Sequence, residues 1–173
     1  MTTPAHPPRP RRQRGAALIE FALVSLLFLT MLFSIVEFAR LMYVYNSLQE
    51  ITRRAAREAT VRWKSDADQA TVKSLALFNG STLPAGAEIT SASITIEYLK
   101  ANGTPVTSFP ADAGDNLSAC GDATRTDNCI YSVRVSIGSV KYSPMVSLFS
   151  FLNLTVPTSS VTMHAESMGF SAY

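Results

Sequence analysis

The sequence predicts an α+β chain in which one long N-terminal helix, transmembrane at its start and amphipathic beyond, packs against a small antiparallel β-sheet head. Three observations carry that expectation. Sixteen uncharged residues run from Phe21 to Val36 inside an apolar block that opens at Ala16. No Gly or Pro interrupts the stretch from Ala16 to Lys64, so nothing local stops a helix there. After Pro84 and Gly86 the apolar spacing changes from three and four to two, which is the strand period.

The chain has 173 residues, 47% of them hydrophobic, which suits one domain plus a membrane anchor. Its formal charge is +2, but four arginines crowd the first fifteen residues. Without them eleven basic residues face thirteen acids, about −2. The remaining basic residues form no stripe across a folded domain, so charge indicates no nucleic-acid partner.

Residues 1–15 are rich in Pro and Arg, lack apolar periodicity and form a leader rather than part of the fold. An ordinary secretory signal shares the basic-then-apolar order. Its apolar region is shorter, however, and no small-x-small cleavage site follows here, where the chain reads Val36-Glu37-Phe38-Ala39-Arg40. Residues 16–38 supply 23 positions, enough to cross a hydrocarbon core that takes about 20. Arg9, Arg11, Arg12 and Arg14 precede the span, and Arg40 follows it. That bias predicts a cytoplasmic N-terminus and an exported C-terminal part.

Residues 39–64 continue the helix in amphipathic form. Phe38, Leu41, Met42, Tyr45, Leu48, Ile51, Ala55 and Ala59 recur at helical spacing and are expected to pack on the chain's own C-terminal domain, a stripe also suited to neighbouring subunits. Glu50 with Arg54 and Glu58 with Arg62 form i,i+4 pairs in the favourable order, worth about 0.2–0.5 kcal/mol each.

The head is expected over residues 65–173. Ser65-Asp66-Ala67-Asp68 reads as a capping box opening a short helix, with Ala67, Ala70, Thr71, Leu75 and Phe78 on one face and Asn79-Gly80 at its end. Ile94, Ile96 and Tyr98 alternate as a strand that ends at Asn102-Gly103. Residues 101–128 read as a long loop. Cys129, Tyr131, Val133, Val135 and Ile137 alternate as the clearest strand, and another is expected from Ser159 to Ser167 with Val161, Met163 and Ala165 inward. Between them, residues 140–156 are apolar but broken by Pro144, compatible with strand, loop or a membrane-facing lip.

No catalytic constellation is found, and an enzyme is not expected. His6 lies in the leader and His164 alone on a strand, and no Gly-rich phosphate loop is present. Asp112, Asp115, Asp122 and Asp127 could hold calcium, but their spacing matches no EF-hand loop, and a solvated loop is the better expectation. No cofactor is expected.

Glu20 is the one acid near the start of the apolar block. An intramembrane carboxylate costs roughly 2.5–3.5 kcal/mol at mid-bilayer and less near the surface, so Glu20 is either functional or an interfacial residue reaching to water. The residues around it, Gly15-Ala16-Ala17-Leu18-Ile19-Glu20-Phe21, resemble the processing site of type IV prepilins, in which a membrane peptidase cuts after the Gly. The resemblance implies cleavage between Gly15 and Ala16, with Glu20 as fifth mature residue. It also implies that Glu20, with Phe21 beside it, serves subunit assembly by meeting the new terminal amine of a neighbouring subunit, which offsets the cost of burying either charge alone.

Further residues widen the likeness. Glu37-Phe38-Ala39-Arg40-Leu41, Ala55-Ala56-Arg57-Glu58-Ala59 and the late Tyr142-Ser143-Pro144 are similar to TadE-like proteins, pseudopilins or minor pilins of the bacterial Flp (tight adherence) pilus system. The similarity is strongest over residues 11–62 and loose over 131–170. Phe21 stands where major Flp pilins typically carry Tyr, which fits the TadE-like branch better than the fibre subunit. The resemblance implies a pilin-like fold and a role in pilus assembly, at initiation or at the tip. The partners implied are a prepilin peptidase, other Flp pilins and minor pilins, and the assembly platform in the bacterial inner membrane. The location implied is a single pass with a periplasmic head that can enter the extracellular pilus. The alternative is an unprocessed, anchored protein whose head binds a periplasmic partner.

Cys120 and Cys129 lie nine positions apart. In an exported domain they are expected to pair, closing a ten-residue loop worth about 2–3 kcal/mol in the chain-entropy model. Zinc would need two further ligands, which His6 and His164 are not spaced to supply.

Overall fold

The computed structural model describes residues 13–152 and 154–170; residues 1–12 of the expected leader, including His6, lie outside the described residues. Helix α1 runs Gln13–Val61. The chain divides into two compact units, Met1–Ala39 and Arg40–Tyr173, so the amphipathic half of α1 belongs to the same unit as the head.

In the first unit the apolar side chains face outward, with Leu18 71% and Phe21 73% exposed. Two of the three hydroxyls described in this stretch, those of Thr30 and Ser34, are satisfied within the helix. Thr30 Oγ1 donates to the Leu26 carbonyl at 2.8 Å and Ser34 Oγ to the Thr30 carbonyl at 2.7 Å. Hydrocarbon requires such internal pairing, because no water reaches those groups. α1 contains one 18-residue window of mean hydropathy 2.4, none of it buried, and is long and apolar enough to cross a membrane.

In the second unit α1 buries Val44, Leu48, Ile51, Thr52, Ala55, Ala56 and Ala59. This corrects the expected stripe: Met42 and Tyr45 are exposed, and Val44, Thr52 and Ala56 take the central positions. Apolar spacing alone fits two adjacent helix faces, and the small alanines select the one against which a sheet can approach closely. Thr52 is tolerated because Oγ1 donates to the Leu48 carbonyl at 2.7 Å and lies 3.1 Å from Ser159 Oγ.

Helix α2 runs Asp66–Ala76, and Ser65 caps it, its side chain accepting from Asp68 N–H at 3.1 Å. The buried residues of α2 are Val72 and Ala76, which corrects the expected face: Ala67, Ala70 and Thr71 are exposed. The helix also stops before Asn79-Gly80, because Phe78 and Asn79 take φ of 58° and 64° in the left-handed region. A hairpin not anticipated from sequence follows, β1 (Thr82–Leu83) against β2 (Gly86–Thr90).

The central sheet is β3 (Ile94–Leu99), β4 (Ser132–Ile137) and β7 (Ser159–His164), antiparallel in the order β3-β4-β7. Its register aligns Tyr98 with Val133 and Met163, and Ile96 with Val135 and Val161. These rows put one apolar face on the core, where Val133, Val135 and Ile137 are fully buried. β4 starts later than expected. Cys129 and Ile130 are buried before it, whereas Tyr131 is 46% exposed rather than inward.

The expected loop over 101–128 is corrected too: it contains helix α3 (Ala113–Gly121) and a 3₁₀ turn at Thr126–Asn128. Gly, Asp, Asn and Ser obscure it because their intrinsic helix propensity is low. Asp112 nevertheless caps α3, accepting from Asp115 N–H at 2.8 Å. The apolar stretch after β4 resolves into a second small ribbon, β5 (Val140–Lys141) with β6 (Thr155–Val156), and a 3₁₀ turn at Ser147–Phe149 between them.

Candidate processing and assembly site

Gly15, Ala16, Glu20 and Phe21 all fall within the first turns of α1. A Cβ added at Gly15 would meet no atom within 4 Å. The absence of a side chain there is thus not demanded by packing against the described residues. Ala16 and Glu20 are exposed, as is Phe21, and no described residue pairs with Glu20. Ala16 and Glu20 are four residues apart, so their Cβ atoms stand about 5–6 Å from each other on one helix face.

Just beyond the apolar block lies a polar cluster that sequence reading passed over. Arg40 donates from Nε to the Ala85 carbonyl at 2.9 Å, from Nη1 to the Ser143 carbonyl at 2.7 Å, and from Nη2 to both Glu88 carboxylate oxygens at 3.0 and 3.1 Å. Its guanidinium also lies over the Tyr142 ring, 4.9 Å from the centroid. The planar fork suits this divergent set of acceptors, where a lysine would reach fewer. In sequence the signal is a lone Arg closing an apolar block, read there as a topology charge and as part of the Glu37–Leu41 resemblance but not as a packing centre.

Cys120, in α3, is disulfide-bonded to Cys129, with Cα atoms 4.8 Å apart. The bond joins the end of α3 to the chain entering β4. The four loop acids are each engaged by local donors. Asp115 receives Arg125 Nη2 at 2.6 Å and Ala111 N–H at 3.0 Å, and the Arg125 hydrogen bond chiefly holds its carboxyl below the ordinary value. Asp122 accepts from Thr124 N–H and Oγ1 at 2.8 and 2.7 Å, which lowers its pKa too. Asp127 receives Lys100 Nζ at 2.9 Å. Among the described residues no group of three or more His, Cys, Asp or Glu is arranged to hold a metal ion. His164 is exposed on β7, edge-on to the Tyr131 ring at 5.0 Å.

These features define a class of protein: one apolar helix fit to anchor in a membrane, continuing into an α+β head. Residues 15–57 match the family model of the TadE-like proteins, so over that stretch of its helix the chain is similar to them. That family is a structural, pilus-related one. The match spans the Gly15–Phe21 segment, the span and most of the amphipathic helix, and the head beyond residue 57 lies outside it. No curated protein and no solved structure shows a matching similarity.

Proposed function

We propose that this protein is a minor pilin or pseudopilin of a Flp/Tad adhesive pilus, cut between Gly15 and Ala16 by a prepilin peptidase and required for pilus assembly. The observation that carries the proposal is the five-residue interval from Gly15 to Glu20 at the start of an apolar helix, within the TadE-like stretch. Cleavage creates an ammonium at Ala16, one helical turn from the same chain's Glu20. Internal pairing therefore competes with pairing to a neighbour, and assembly gains from Glu20 only where the packed subunits exclude water from the contact. The head stays on the periplasmic side, and the partners are other pilins and the inner-membrane platform.

Mass spectrometry of protein extracted from membranes should find a chain beginning at Ala16. Gly15→Trp should accumulate as full-length precursor; because position 15 has open space around it, that block would report on the peptidase rather than on misfolding. Glu20→Ala should be processed and membrane-resident, yet fail to support piliation or to cross-link to other pilins. Normal piliation by Glu20→Ala, or a wild-type chain that keeps its leader, would favour the unprocessed anchored protein instead.

A further inference from the structure

We propose that the hollow between the amphipathic half of α1 and the end of α2 is a docking site for an acidic segment of another protein, one that brings a carboxylate beside an apolar side chain. The hollow, about 580 Å³, is lined by Arg54, Arg57, Glu58, Leu75, Phe78 and Asn79. All six residues belong to the unit Arg40–Tyr173.

Charge selects the sign of the partner. Residues 50–62 carry four arginines against two glutamates, in a chain that beyond residue 15 has eleven basic residues against thirteen acids. Both glutamates are already engaged: Glu50 accepts from Arg54 Nε at 2.7 Å and Glu58 from Arg62 Nε at 3.2 Å. Arg53 and Arg57 are exposed, and among the described residues neither guanidinium has a hydrogen-bond or ion partner. They stand four residues apart on α1, a spacing at which like charges repel. A carboxylate brought by a partner relieves that repulsion and matches the guanidinium fork of Arg57.

Phe78 selects the apolar half of the partner. It follows Leu77, the C-cap of α2, and takes φ of 58°, in the left-handed region that glycine usually fills at helix ends. A side chain there is strained, and the fold gains little from this one, because the ring is 45% exposed. The Arg54 guanidinium lies over the ring, 4.6 Å from its centroid, and so holds the apolar surface beside the unpartnered Arg57. Aromatic rings and arginines around a hollow are the residue types that anchor protein interfaces.

The test uses the full chain in detergent micelles and a fluorescein-labelled peptide of repeating Glu-Glu-Leu, with a Gln-Gln-Leu peptide as its control, followed by anisotropy at low ionic strength. The parent should bind the glutamate peptide and not the glutamine one. Arg57→Glu and Phe78→Asn should each weaken that binding about tenfold or more. Urea midpoints, read from Trp63 fluorescence, should be unchanged in Arg57→Glu and unchanged or higher in Phe78→Asn, since asparagine enters the left-handed region more readily than phenylalanine. A lower midpoint in Phe78→Asn would mean that the ring is kept for packing of the head, and overturns the site. No binding by the parent, or equal binding by both variants, overturns it as well. Binding lost in Arg57→Glu but kept in Phe78→Asn assigns the arginines to polyanions at large and overturns the apolar half. A doubled mass of the parent in micelles that Arg57→Glu abolishes assigns the hollow to a second copy of this chain instead.

Discussion

The side-chain amide of Asn116 brackets the backbone of Ile130: its Oδ1 accepts from Ile130 N–H at 2.8 Å, and its Nδ2 donates to the Ile130 carbonyl at 3.4 Å. Asn116 is 3% exposed and Ile130 1%. An amide is suited to this double task because it offers one donor and one acceptor in a plane. Asn116→Ala would leave a buried N–H unpaired and should destabilise the head by about 1–3 kcal/mol. Trp63 packs against the core as the sole tryptophan, so its fluorescence during urea unfolding measures the loss. Asn116→Asp should also destabilise, since a carboxylate cannot donate to the carbonyl.

The Cys120–Cys129 bond reinforces the same contact from the end of α3. In unreduced protein from cells, alkylation should label neither cysteine; after reduction it should label both. Reduction should lower head stability by about 2–3 kcal/mol, as expected for a ten-residue loop. Free thiols before reduction would place the head in a reducing compartment.

Arg40 and Glu88 form a largely buried pair, with side chains 14% and 7% exposed. Removing the Glu88 carboxylate takes its charge-assisted hydrogen bonds from a guanidinium whose other contacts remain, so Glu88→Ala should cost about 1–3 kcal/mol. Arg40→Lys keeps the charge but loses the fork, and should fall between wild type and Glu88→Ala in urea midpoint. A midpoint unchanged in Glu88→Ala would mean that the other contacts of Arg40 satisfy it without Glu88.

Burial pushes the Tyr98 hydroxyl up to about 12, with the Asp68 charge adding to it. The folded state therefore favours the protonated phenol. Because the folded value lies above the unfolded value of 10.0, stability from this group is fully present below pH 10 and is lost as pH rises from about 10 to 12. Absorbance titration should show a late-ionising phase from Tyr98. Tyr98→Phe should remove that phase and flatten the alkaline decline in stability.

Much of the architecture was legible in the sequence because it depends on neighbours three or four residues apart, or two in a strand. The apolar block, the uninterrupted α1, the Ser65 cap and the alternation behind β3, β4 and β7 are of this kind, and so is the Gly15-to-Glu20 interval. Tertiary structure alone decided which face of each element would be covered. On α1 it chose Val44 and Ala56 over Met42 and Tyr45, and on α2 Val72 and Ala76 over Ala67 and Ala70, because burial depends on a partner surface distant in sequence. It also decided that α3 exists. Residues 113–121 have weak helix propensity, and they are held helical by the Asp112 cap, the Asn116 grip on Ile130 and the bond to Cys129. Arg40 belongs to the same group: its charge is visible in the chain, but acceptors on Ala85, Glu88 and Ser143 lie 45 to 103 residues away, and only folding brings them within reach of one guanidinium.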